Sequence, residues 1–319
     1  MGSSTPRLWA RLQAADCGKQ ARSHLPHHPS AGDTANSPFF GLHLCFEARI
    51  ALARELYTAR LEKKILISES AQCYHFEFVL DDLASFPFAA GQFISAVAPD
   101  ANGKQQTRAY SIASASNGNR FDLCVNRVEG GFFSNYLADL TDLSVGGTIQ
   151  IHGPHGHFIL KEPVTDSILI ATGTGIAPMR GFAQWLFPEN GPDRSNGKDI
   201  WLVYGTRHET EIYYQEEFEA LARKHPNFHY LVTLSRAEPD WTGLRGYVQT
   251  YVAKIVEERA ARLGHPLPQP APDPSIAKAD LNFDIYSYIC GLNNMVAGVR
   301  DNLAGYGWHR KQIVFERYD

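Results

Sequence analysis

The chain has 319 residues, more than one hydrophobic core ordinarily organises, so two domains are expected. Hydrophobic residues at 44%, charged residues at 20% and a formal net charge of -4 describe a globular protein and argue against a general nucleic-acid or membrane-surface binder. No run approaches the roughly 20 apolar residues of a membrane span, so none is expected.

Residues 1–46 are rich in Pro, Ser, His and small residues without a sustained period, which predicts a disordered extension. Residues 47–64 (EARIALARELYTARLEKK) are strong helix formers and predict a helical lead-in to the first domain. From there to residue 162, short apolar runs alternate with Gly, Pro and Asn turns: YHFEFVL (74–80), QFISAVA (92–98), RAYSIAS (108–114), FDLCVNRV (121–128) and TIQIHG (148–153). That spacing predicts an antiparallel barrel, interrupted by one helix over FFSNYLADL (132–140). From 163 to 319 the pattern becomes strand, helix, strand, with SILIATGTG (167–175), IWLVYGTR (200–207), HYLVTLSR (229–236) and DIYSYICG (284–291). Such alternation predicts a doubly wound α/β domain. The helix 213–224 should carry its acids on a solvated face, and the alternating prolines of 265–274 should form a stiff surface loop.

The five cysteines, Cys17, Cys45, Cys73, Cys124 and Cys290, are scattered and contain no CxxC pair. Iron–sulfur and zinc spacings are therefore absent, and a reducing cytoplasmic setting is expected. His152, His155 and His157 cluster within HGPHGH, but in a turn, and they read as surface imidazoles with no metal.

Three segments carry chemistry. In RAYS, Arg108 offers a cation for phosphate, Tyr110 a flat aromatic face and Ser111 a small hydroxyl donor, the set a flavin requires; alone, the segment also reads as an ordinary edge strand. In GGFFSN, Gly131 permits close backbone approach and Ser134 with the first helical amides suits an anion, although a plain helix cap gives the same pattern. ATGTGIAP follows a strand and opens a helix, the setting in which a glycine turn with Thr172, Gly173 and Gly175 holds dinucleotide phosphates; it is not GxGxxG, and a structural turn is the alternative.

The order FAAGQF (88–93), RAYS, GGFFSN, GPHGHF (153–158), ATGTGIAP, SRAEPDWTGLRGYVQ (235–249), CGLNNM (290–295) and a terminal ERY resembles the ferredoxin–NADP reductase superfamily over about residues 60–319. The resemblance implies a Greek-key flavin barrel followed by a nicotinamide-binding domain, hydride exchange between NAD(P)H and FAD, and single-electron exchange with a carrier. It places Tyr110 on the isoalloxazine and Ser111 at N5. Arg108 and Ser134 fall on the flavin phosphates, with Ala109, Asn126, Gly131 and Phe133 beside them. Cys290 and Glu316 flank the hydride-transfer site, and Tyr318 covers the other flavin face. Asp319 departs from the pattern by following that aromatic.

Ser235, Arg236, Arg245 and Tyr247 supply donors for a 2'-phosphate and a stacking face for adenine, which favours NADPH and leaves NADH possible. With no Cys-rich module the one-electron carrier must be separate, a ferredoxin or flavodoxin. The alternatives are an NADH-dependent reductase of an oxygenase system, a diaphorase, or a non-catalytic nucleotide-binding electron-transfer module.

Overall fold

The computed structural model describes residues 55–139, 146–264, 267 and 285–318. The extension 1–46, the first part of the helical lead-in, nearly all of the Pro-rich loop and Asp319 lie outside the described residues.

The lead-in is corrected where it is described. Residues Tyr57–Ser68 form strand β1 rather than a helix. Ala59 and Leu61 point alternately into the core at 0% and 1% exposure, and β1 pairs with neighbours on both sides: Arg60 faces Val79 and Tyr57 faces Ile151. The outward side chains find cross-strand partners as well, Arg60 with Asp81 at 2.6 Å and Glu62 with Arg120 at 2.8 Å. Two filled hydrogen-bonding edges and an apolar face outweigh the local helix preference of Ala, Leu, Glu and Lys.

β1 is followed by β2 (Cys73–Val79), β3 (Phe93–Pro99), β4 (Gln105–Ser111), β5 (Arg120–Asn126), helix α1 (Phe132–Asp139) and β6 (Thr148–His155). Their order is β4-β3-β6-β1-β2-β5 with every neighbour antiparallel. The end strands approach each other beyond β4, where Ile112 bridges Leu123 and Ala113 N donates to Asp122 O at 2.8 Å. Inside, Phe76, Phe78, Phe86 and Phe121 pack ring against ring, with Phe78 and Phe121 stacked at 5.4 Å.

The second half contains β7 (Asp166–Thr172), α2 (Ile176–Leu186), β8 (Ile200–Thr206), α3 (Gln215–Lys224), β9 (Phe228–Leu234), β10 (Leu244–Arg245), α4 (Val248–Leu263), β11 (Ile285–Leu292), α5 (Asn293–Gly305) and β12 (Ile313–Tyr318). Its sheet is parallel in the order β10-β9-β8-β7-β11-β12. Strand alternation sends Leu169 and Ala171 to the face covered by α2 and α3, and Ile168 and Ile170 to the face covered by α4 and α5. The chain winds outward from β7 in one direction and resumes beside it at β11, so the crevice between the carboxyl ends of β7 and β11 is the topological switch point.

The two sheets meet in a polar seam. Arg180 of α2 contacts Asp122 of β5 at 2.8 Å, Glu217 of α3 at 2.7 Å and the Ala113 carbonyl at 2.8 Å. Glu217 is thus an interface residue, a correction to the expectation that the acids of this helix face solvent. The helix also begins two residues later than the sequence suggests, because Tyr213 and Tyr214 turn into the seam. Tyr214 OH lies 3.0 Å from His75 Nδ1, and Tyr213 OH donates to Asn126 at 3.3 Å. The histidine turn is corrected as well: His152 is buried, with its Nδ1 2.7 Å from His155 Nε2.

Candidate active site

A cleft of about 770 Å³ opens where the last turn of β4, the end of β5, the start of α1 and the end of β12 converge. It is lined by Arg108, Ala109, Tyr110, Ser111, Asn126, Gly131, Phe133, Ser134, Glu316 and Tyr318, ten of the positions the sequence nominates.

Alternation along β4 explains the division of labour there. Ser111 points inward and is buried, while Tyr110 is half-buried with its ring at the cleft. Burial pushes the Tyr110 hydroxyl up to about 12 against the opposing charge of Arg108, so the ring presents a neutral face. Gly131 cannot carry a side chain, because a Cβ would stand 2.6 Å from Ser134 Oγ and 3.1 Å from the Val128 carbonyl. That tight turn lets Val128 N donate to Ser134 Oγ at 3.0 Å, which leaves the hydroxyl proton of Ser134 available to the cleft.

The opposite wall is β12. Tyr318 OH donates to Ser111 Oγ at 2.6 Å, and Ser111 Oγ donates to Glu316 Oε2 at 2.9 Å. Burial raises the Glu316 carboxyl, with the Ser111 hydrogen bond pulling the other way. Cys290 lies opposite Glu316 in the β11–β12 pairing, fully buried and outside the cleft wall. Burial drives its thiol well above the ordinary range, with a hydrogen bond to Tyr318 opposing, which favours the neutral thiol.

The glycine turn lies at the switch point. Gly173–Gly175 form a single 3-10 turn that runs into α2. A Cβ on Gly175 would stand 2.2 Å from the Cys290 carbonyl, and one on Gly291 would stand 2.3 Å from Thr172 Oγ1. Both glycines are therefore dictated by the close approach of β7 and β11. Gly173, at φ 53°, meets nothing within 4 Å and leaves the space above the helix amides open. Among the described residues Thr172 Oγ1 is buried without a hydrogen-bond partner, a polar atom that a ligand at this turn would satisfy. The neutral ring, the anion-binding turns and this orphaned hydroxyl fit a flavin dinucleotide and a nicotinamide dinucleotide.

Ser235 and Arg236, just after β9, Arg245 within β10 and Tyr247, just after it, stand apart from the cleft. Tyr247 is 70% exposed and Arg236 is exposed with no side-chain partner among the described residues, as a stacking face and a phosphate cation require. Arg245 departs from that expectation. Its guanidinium donates to the carbonyls of Ala237 (3.2 Å), Glu238 (2.8 Å), Pro239 (3.1 Å) and Trp241 (2.7 Å).

Sequence reasoning missed several lining positions. Gln106 and Thr107 extend the RAYS strand, Thr174 sits within the glycine turn, and Val128 and Phe132, at 56% and 40% exposure, are large apolar groups beside GGFFSN. Their proximity to the motifs was the available signal. Cys124 also lines the cleft, with its Sγ 3.6 Å from Cys73 Sγ, and counting cysteine spacings does not reveal such a cross-strand pair.

Comparison with known proteins agrees with this geometry. Residues 58–159 match the oxidoreductase FAD-binding domain family and residues 169–301 the oxidoreductase NAD-binding domain family. The chain is 37% identical to ferredoxin–NADP reductase B of Sorangium cellulosum, covering 86% of this chain and 98% of that protein. It is 31% identical to a root ferredoxin–NADP reductase of Arabidopsis thaliana, covering 78% and 67% respectively. In fold it is similar to a ferredoxin–NADP+ reductase from Plasmodium falciparum (TM-score 0.64, 23% identity, 83% and 97% covered). It is also similar in fold to a cytochrome P450 reductase from Amycolatopsis (TM-score 0.65, 22% identity, 82% and 69% covered). Among the described residues no helix is long and apolar enough to cross a membrane.

Proposed function

The chain belongs to the ferredoxin–NADP reductase family and is an FAD-dependent NAD(P)H oxidoreductase, and from that premise we propose that it exchanges hydride between NADPH and FAD and single electrons between FAD and a separate ferredoxin or flavodoxin. The observation that carries the proposal is the hydrogen-bonded chain from Tyr318 through Ser111 to Glu316, which joins the terminal strand of the nucleotide-binding half to the flavin-side strand β4.

Bound FAD supplies the conversion between two-electron and one-electron chemistry. In this reading residues 47–162 form the flavin domain and 163–319 the nicotinamide domain. Tyr110 stacks on the flavin ring, Arg108 and Ser134 hold its phosphates, and Ala109, Asn126, Gly131 and Phe133 shape the wall between them. Ser111 presents its Oγ to the reacting edge, and Glu316 fixes the direction of that hydroxyl by accepting its hydrogen bond. Tyr318 occupies the face that the nicotinamide needs and must swing aside, which frees the acceptor side of Ser111 Oγ. Cys290 backs the nicotinamide pocket. Thr172, Gly173 and Gly175 with the first amides of α2 take the pyrophosphate, while Ser235 and Arg236 take the 2'-phosphate and Tyr247 the adenine.

The carrier is tested by steady-state turnover with NADPH and a panel of ferredoxins, flavodoxins, free flavins and quinones. The proposal expects saturable turnover with a small acidic protein carrier. Turnover with quinones or free flavins alone would replace that carrier by a diaphorase activity.

A further inference from the structure

Two thiols meet in the wall between the cleft and the seam. Cys73 opens β2 and Cys124 lies within β5; the register sets Cys73 opposite Asn126 and His75 opposite Cys124, so the cysteines are diagonal neighbours on one face of the sheet. Their sulfurs stand 3.6 Å apart. Cys124 lines the cleft, whereas Cys73 is completely buried behind it among residues of the nucleotide-binding half. Tyr213 and Tyr214, which turn into the seam, hydrogen-bond to Cys73 and Cys124 respectively.

The two sulfurs differ in what can reach them. Burial holds Cys73 as a neutral thiol, its value driven well above the ordinary range. Cys124 is the sulfur that a small molecule in the cleft encounters first, and Cys73 waits within contact distance behind it. That asymmetry is the arrangement of an attacking and a resolving thiol. Cys290 is also buried but lies outside the cleft wall, which makes it an internal control.

We propose that Cys73 and Cys124 form an oxidisable dithiol, a modification site in the cleft wall that hydrogen peroxide converts to a disulfide. Peroxide is the two-electron product of a reduced flavin with dioxygen, so its source rests on the flavin reading above, while the site does not. The Cys124 sulfur attacks one peroxide oxygen and the O–O bond breaks, giving a sulfenic acid and one water that carries the thiol proton. The Cys73 sulfur then attacks Cys124 Sγ, the S–O bond breaks, and the departing hydroxide takes the Cys73 proton as a second water. Two thiols lose two electrons and the peroxide gains them. The sulfurs must close from 3.6 Å to about 2.0 Å, and Cys73 can give way because it is the first residue of β2, directly after the 69–72 turn.

The test treats the FAD-loaded protein with hydrogen peroxide, alkylates the remaining thiols and identifies cross-linked peptides by mass spectrometry. The proposal expects a Cys73–Cys124 bond that an added dithiol reverses, formed about tenfold or more faster than Cys290 is oxidised. Cys73→Ser should stop at the sulfenic acid of Cys124, trapped by dimedone, and Cys124→Ser should leave Cys73 a thiol. Recovery of both cysteines as thiols in the parent protein, or oxidation of each without a cross-link, overturns the proposal whatever the variants do. Aerobic turnover with NADPH and no carrier should produce the same bond, and catalase should suppress it. If added peroxide forms the bond and turnover does not, the site stands and the flavin falls as the source of its oxidant.

Discussion

Tyr318 and Ser111 share a 2.6 Å hydrogen bond although 207 residues separate them in the chain. The bond closes the flavin-side strand β4 against the terminal strand β12, and the half-buried carboxyl of Glu316 accepts the hydrogen bond that Ser111 donates. An aromatic ring, a hydroxyl and a carboxyl are thus linked in one hydrogen-bonded chain, and the proposed chemistry requires Tyr318 to move while Ser111 and Glu316 stay in place.

The stacking role of Tyr110 is tested by Tyr110→Ala. The loss of a half-buried ring and its contact with the flavin should weaken FAD binding by about tenfold or more, equivalent to about 1.4 kcal/mol per decade. Flavin content after extensive dialysis measures this. Full retention by the variant would remove Tyr110 from the flavin site.

Glu316 carries a pH signature. Burial raises its carboxyl above the ordinary value, opposed by the Ser111 hydrogen bond, so the folded chain holds this proton more readily than the unfolded one. The associated stability is fully present below the ordinary carboxylate value and is lost as pH rises through the raised one. Glu316→Gln cannot titrate, so the melting temperature of the variant should gain on the parent as pH increases across that window. Parallel curves for the two proteins would contradict the assignment.

Arg180 holds the seam. Its ion pair with Asp122 is largely buried, the two side chains being 13% and 19% exposed. Arg180→Met should therefore lower unfolding free energy by about 3 kcal/mol, because it leaves a buried carboxylate unpaired. Adding Asp122→Asn should recover part of the loss. Urea midpoints for the single and double variants report it, and additive destabilisation would rule out the pairing as the cause.

Much of this arrangement was legible in the sequence because it is local. RAYS, GGFFSN and the Thr172–Gly175 turn each place a chemical set within a few residues, and strand alternation or a helix start then aims it. The strand β1 was not legible: Ala59, Leu61 and Glu62 favour a helix, and only pairing with β2 and β6 makes the strand the better state. Neither was the employment of Arg245, since four backbone carbonyls converge on it only after the turn has folded. Cys73 and Cys124 likewise read as isolated cysteines until the β2–β5 register brings their sulfurs together.

The central claim is hydride transfer from NADPH to FAD across the Ser111 and Glu316 wall, and its most direct measurement is an anaerobic titration of the purified, FAD-loaded protein followed at the flavin absorbance. The account predicts that the yellow colour bleaches with a stoichiometric amount of NADPH and much more slowly with NADH. A flavin that stays oxidised with both nucleotides would contradict it.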